Sequence, residues 1–139
     1  MTPAQIALVQ QSFAKVAPIS EQAASLFYGR LFEIAPEVQP LFAKADIRDQ
    51  GKKLMGTLAV VVGGLTDLPA ILPAASRLAK LHVSYGVQPT HYAPVGAALL
   101  WTLEQGLGGA WTPDLAEAWT AAYATLSNYM IAEAYGVAA

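Results

Sequence analysis

The chain has 139 residues, ten acidic against eight basic for a net charge of −2, and 13% of them are charged while 55% are hydrophobic. That is one ordinary domain's length, enough to bury a core unaided, and the weakly acidic balance excludes the basic stripe of a nucleic-acid binder. The absence of cysteine excludes disulfides, thiolate metal sites, iron–sulfur clusters, cysteine nucleophiles and thioether-linked haem.

Thr2-Pro3-Ala4-Gln5 reads as a capping box with proline at the first helical position, and Ile6, Val9, Phe13 and Val16 follow at helical spacing. A second helix opens near Ser20 and carries Ala23, Phe27, Leu31 and Ile34 on one face. Pro36 stops it, and Pro36 to Phe42 reads as one or two tight turns holding a second proline, Pro40. Asp46 caps a third helix that runs through Leu65. Its Val60-Val61-Val62 run has strand propensity, but the periodic segment lasts several turns, which favours helix. Leu68-Pro69 starts a fourth helix with Ile71, Leu72, Leu78, Leu81 and His82, ended by Gly86. Thr90 caps a fifth, with Pro94 in its first turn, where a missing N–H costs least. Gly106 to Gly109 closes that helix. Thr112-Pro113 starts the last one, running to about Tyr135 with Gly136 beyond. No segment joins strand periodicity to a hairpin turn, so a single all-α domain over residues 1–139 is expected. The proline-rich corner and unequal helix lengths argue against a simple four-helix bundle.

The longest apolar stretch, Leu54 to Leu65, is too short to span a membrane and contains Thr57 and three glycines. No charged leader precedes an apolar run, so a cytoplasmic protein with no membrane insertion is expected. With a mean hydropathy of +0.38 and few charges, such a chain either self-associates or surrounds something apolar. Monomer and homodimer both fit.

Hydrolase, phosphate-loop and zinc-protease signatures are absent. Gly106-Leu107-Gly108-Gly109 follows a helix rather than a strand, so it is a helix stop and not a dinucleotide fingerprint. His82 lies near a helix end beside Leu78, Leu81 and Tyr85. On spacing alone it is either a cap or core histidine, favoured by the helix-end field, or the single axial ligand of a metal carried by an apolar cofactor. His91, in a first turn where positive charge is disfavoured, reads as a surface residue. Tyr28 sits in the apolar stretch Leu26 to Phe32, where its hydroxyl needs a partner. Gln50 precedes Gly51-Lys52-Lys53-Leu54, which reads equally well as the wet start of a helix. Tyr92 and Glu133, near helix ends, have surface decoration as their plain reading.

One resemblance joins these residues. Phe27-Tyr28-Gly29-Arg30-Leu31-Phe32, Pro36-Glu37-Val38, Leu41-Phe42, Leu68-Pro69-Ala70-Ile71-Leu72-Pro73-Ala74, Lys80-Leu81-His82, His91-Tyr92-Ala93-Pro94-Val95-Gly96, Ala118-Trp119 and Tyr123 occur in the order and at the intervals of bacterial single-domain haemoglobins. The chain equally resembles the globin domain of flavohaemoglobins, over nearly its whole length. The resemblance implies a globin fold, a three-over-three helical sandwich, holding haem b. His82 is then the proximal iron ligand, and Phe42 packs on the haem face. Tyr28 and Gln50 form the distal hydrogen-bonding pair, Leu54 is the apolar distal residue, and Lys53 contacts a propionate. Val95 and Leu99 line the haem, and Tyr92 orients His82 from behind. The family's usual glutamate partner of Tyr92 maps to Ala134, with Glu133 one residue and about 100° of helix away. Leu81 replaces a basic residue common in flavohaemoglobins, and the loop between Phe42 and Gln50 is short for them.

The resemblance implies reversible binding of O₂, NO or CO, for oxygen delivery or gas detoxification. Donors on Tyr28 and Gln50 would stabilise a gas ligand that gains negative charge. The enzyme alternative is NO dioxygenase or peroxidase-like chemistry. With the chain ending at Ala139 no flavin domain is expected to follow, so that chemistry would need a separate reductase. A globin-like signalling module without haem is a third class, disfavoured by the presence of both His82 and Phe42.

Overall fold

The computed structural model describes residues 1–135 and is built from six α-helices joined by short connections: α1 (Pro3–Val16), α2 (Ser20–Ile34), α3 (Ile47–Gly63), α4 (Leu68–Ser84), α5 (Tyr92–Leu107) and α6 (Pro113–Tyr135). There is no strand among the described residues. The expected start signals are largely in place. The Thr2 hydroxyl accepts from the Gln5 N–H while the Gln5 side chain accepts from the Thr2 N–H. The Asp46 carboxylate accepts from the N–H groups of Arg48 and Asp49. Residues Pro36–Phe42 form a seven-residue 3₁₀ segment, and the Val60-Val61-Val62 run is helical. Gly136 lies outside the described residues.

Two boundaries differ from expectation. The third helix stops at Gly63, with Gly64 as its cap, rather than reaching Leu65. Thr90 does not cap α5. A 3₁₀ turn, Pro89–His91, precedes that helix, and the His91 Nδ1 accepts from the Gln88 N–H at 3.0 Å. Proline at 89 starts the turn early, so the capping falls to the ring of His91.

Packing divides into two apolar clusters. The larger joins α1, α2, α3, α5 and α6 around Val9, Val16, Phe27, Leu31, Leu103 and Trp119. Within it the Trp119 indole N–H donates to the buried Ser12 hydroxyl at 2.9 Å, which in turn donates to the Val9 carbonyl. The smaller gathers Ala75 and Ala79 of α4, Tyr92 and Met130, with Leu78, Val87 and Leu126 against them. Accordingly α4 packs chiefly along α6, while α3 packs on α2 and α1. Helices α3 and α4 follow one another in the chain yet do not pack together along their lengths.

A glycine fixes one end of this arrangement. A Cβ at Gly96 would come within 2.6 Å of the Tyr123 ring, and the Tyr123 hydroxyl donates to the Tyr92 carbonyl at 2.6 Å. Gly96→Ala therefore has to displace the ring that anchors the start of α5. Overpacking of this kind costs about 1–3 kcal/mol, so a lowered urea midpoint is expected, with a larger drop for Gly96→Val.

Candidate functional site

His82 lies on the last turn of α4, half-buried, with its backbone carbonyl accepting from the N–H groups of Tyr85 and Val87. By helix phase it shares a side of α4 with Ala75, Leu78 and Ala79. The apolar face proposed from spacing is corrected here: Leu81 and Tyr85 are 45% and 63% exposed. A helix advances about 100° per residue, and the stripe that α6 covers runs through 75, 78, 79 and 82. The Nδ1 of His82 is buried without a hydrogen-bond partner. Burial lowers the imidazole pKa, which favours the neutral ring, the form that ligates metals.

The Tyr92 ring stands behind it, edge to face, with centroids 6.5 Å apart. Its plain reading as surface decoration is overturned: Tyr92 is 8% exposed, and its hydroxyl is buried with no partner. Buried polar groups are rarely left unpaired, and two such atoms lie on these neighbouring rings. Glu133 does not reach them. It is exposed at the surface, and its carboxylate accepts from the Tyr129 hydroxyl at 3.2 Å. One position of helix phase turns it outward, and a tyrosine four residues earlier takes it up. Glu133, one residue from the family's glutamate position, is thus not the partner of Tyr92 here.

On α2, Tyr28 is 6% exposed among aromatic rings. Centroids lie 5.0 Å from Phe27, 6.0 Å from Phe32 and 5.5 Å from Phe42. This joins the 3₁₀ corner to α2, and burial pushes the phenol of Tyr28 up to about 12. It therefore remains a protonated donor across the neutral range. Gln50 is half-buried one turn into α3. Its neighbour Gly51 meets Ala24 so closely that an added Cβ would sit 2.8 Å from that side chain. That contact brings the start of α3 against α2 one turn before Tyr28. Leu54 is half-buried against the larger core, as are Phe42 and Val95, and Leu99 is buried within it. Lys53 is exposed.

Between α3 and α4, with α6 as floor, an apolar cavity of about 50 Å³ is lined by Thr57, Val61, Ala75, Leu78, Leu126 and Met130. No group of three or more His, Cys, Asp or Glu side chains able to hold a metal occurs among the described residues. A metal at His82 would therefore have to bring its other ligands with it. A half-buried imidazole with an unpartnered Nδ1, on a helix whose neighbouring face is apolar, has the chemistry to ligate the metal of an apolar carrier such as haem.

Two residues near the site escaped the sequence reading of roles. Tyr123 anchors the Tyr92 carbonyl, and the Tyr135 hydroxyl donates to the Val87 carbonyl. Each tyrosine looks like ordinary helix filler in sequence, and only the α6 packing shows its partner.

The sequence model of the globin family matches residues 25–130. The chain is 34% identical over 128 residues to a flavohemoprotein of Rhodopirellula baltica, covering 91% of this chain and 31% of the relative. It is 33% identical over 133 residues to a flavohemoprotein of Bordetella parapertussis, and 32% identical over the same length to one of Bordetella pertussis. Each of those alignments covers 94% of this chain and 33% of the relative. The chain thus spans about a third of the length of these curated relatives.

Proposed function

The chain belongs to the globin family, and from that premise we propose that it holds haem b through His82 and reversibly binds a diatomic gas, O₂ before NO or CO, as one globin domain over residues 1–139. The observation that carries the proposal is the half-buried imidazole of His82 at the end of α4, whose Nδ1 has no hydrogen-bond partner and whose ring stands against Tyr92. When bound, haem iron supplies one open coordination position for such a gas.

The chain's own residues do the rest. His82 offers a neutral nitrogen. Tyr92 limits the imidazole's rotation from behind, and the Tyr123 hydroxyl fixes Tyr92 through its carbonyl. Phe42, Leu54, Val95 and Leu99 would provide apolar contact, and the exposed Lys53 would meet a propionate at the rim. Tyr28 and Gln50 donate toward the gas side, and the Phe27, Phe32 and Phe42 rings restrict water around Tyr28. The test is a visible spectrum of the purified protein in ferric, ferrous and CO-bound states. Loss of the Soret band on purification in the presence of haem would defeat the proposal.

NO dioxygenase or peroxidase-like chemistry, fed by a separate reductase, is the second reading. It is favoured by the flavohemoprotein relatives. It is weakened by the proximal side, where no carboxylate reaches Tyr92 because Glu133 is held by Tyr129. An anionic partner makes a ligating imidazole more electron-rich, and this site lacks one among the described residues. Glu133→Gln is therefore expected to leave the ferrous iron–histidine stretching frequency unchanged. A fall in that frequency would return Glu133 to the proximal network and raise the enzyme reading. No helix among the described residues is long and apolar enough to cross a membrane.

A further inference from the structure

Helix α4 carries His82 and packs chiefly on α6, with Ala75 and Ala79 in one apolar cluster with Met130 of α6 and with Tyr92 at the start of α5. Apolar packing is non-directional, and a directional bond is present just beyond the last turn of α4. The Val87 N–H donates to the His82 carbonyl at 3.0 Å. The Val87 carbonyl in turn accepts from the Tyr135 hydroxyl at the end of α6. Both backbone groups of one residue are thus engaged, one by the ligand histidine and the other by α6. Tyr135 also lies near Tyr92, whose phenol is pushed up by burial and then by this neighbour. The Tyr135 ring is 37% exposed, so its hydroxyl bond outweighs its packing as the fixed point.

We propose that Tyr135 is a positioning residue for His82: by holding the Val87 carbonyl it fixes the turn that ends α4 and so sets the imidazole's orientation against Tyr92. The role rests on His82 being the iron ligand, but the bond itself does not require haem. It gives a neutral hydroxyl the place behind the ligand helix that a carboxylate does not fill here, since Glu133 points outward.

Tyr135→Phe keeps the ring and removes only the bond. In the haem-free protein, amide hydrogen exchange at Val87 is expected to quicken roughly two- to tenfold, the range for losing one hydrogen bond, while Leu103 in the larger core is unaffected. At constant pH the His82 ring resonances, which sense the Tyr92 ring face, are expected to shift and broaden. In the haem-loaded protein the ferrous iron–histidine stretch should move as well. Unchanged Val87 exchange would overturn the latch. Faster exchange with unmoved His82 resonances would also overturn the proposal, because Tyr135 would then stabilise the turn without orienting the ligand. A protein that takes up no haem defeats the gas-binding reading alone, since both deciding measurements are made without it.

Discussion

His82→Ala is expected to abolish stable haem binding, with partial recovery by added imidazole, while His91→Ala leaves the ferrous spectrum intact. The two histidines are separated by what their nitrogens face. The Nδ1 of His82 is buried without a partner, and the ring stands against Tyr92 on a helix held away from α3. The Nδ1 of His91 already accepts the Gln88 N–H as a turn cap. His91→Ala should therefore cost only the net worth of that bond, about 0.5–1.5 kcal/mol of stability, read as a small fall in denaturation midpoint. Haem retention is measured by transfer to an excess of a competing apoprotein. Loss of haem from the His91 variant with retention in the His82 variant would reverse the site.

Tyr28→Phe is expected to speed O₂ dissociation by about ten- to hundredfold, with a much smaller effect on CO. A hydrogen bond to a charged acceptor is worth about 1.5–3 kcal/mol, and 1.4 kcal/mol is about a factor of ten in an equilibrium constant. Bound CO carries little charge and forfeits little. Gln50→Leu should act in the same direction but less than additively with Tyr28→Phe, since both side chains address one ligand. Stopped-flow displacement of O₂ by CO measures all three. An unchanged rate in both single variants would mean that the two donors face elsewhere.

Burial adds a pH dependence. The Tyr28 phenol is pushed up to about 12, so the O₂ dissociation rate should stay flat from neutral pH to well above 10. The same displacement sets a sign for stability. The folded value lies above the unfolded one, near 10, so Tyr28 leaves stability untouched below pH 10. Stability then falls as pH rises from 10 through 12, because only the unfolded chain readily releases the proton there. Tyr28→Phe should flatten the alkaline limb of the denaturation midpoint in that window.

Much of the site was open to reading because its residues sit in separated short motifs whose order and spacing match the globin pattern. Tyr28, Phe42 and Tyr92 were each named from sequence, and the structure buries or half-buries all three and sets Tyr28 edge to face with Phe42. The local contacts of single residues were harder. Leu81 and Tyr85 read as companions of His82 because apolar residues at helical spacing imply a shared face, yet both are exposed. Spacing gives a helix its stripe, but not which of two adjacent stripes a neighbouring helix will cover. Glu133 shows the same ambiguity at finer scale, where a single position of phase decides between Tyr92 and Tyr129.

Local chemistry alone therefore determines the six helices: side-chain caps at Thr2 and Asp46, prolines at 36, 69 and 113, and apolar periodicity are properties of neighbours in the chain. The same local order carries the family pattern and the identity of the candidate ligand. Packing between distant segments decided everything that depends on direction. It set α4 on α6 and away from α3, and it turned Glu133 outward. It also gave the Tyr92 carbonyl to Tyr123 and the Val87 carbonyl to Tyr135. Those bonds join residues 31 and 48 positions apart. No spacing rule reaches that far, because their partners are chosen by how whole helices fit together.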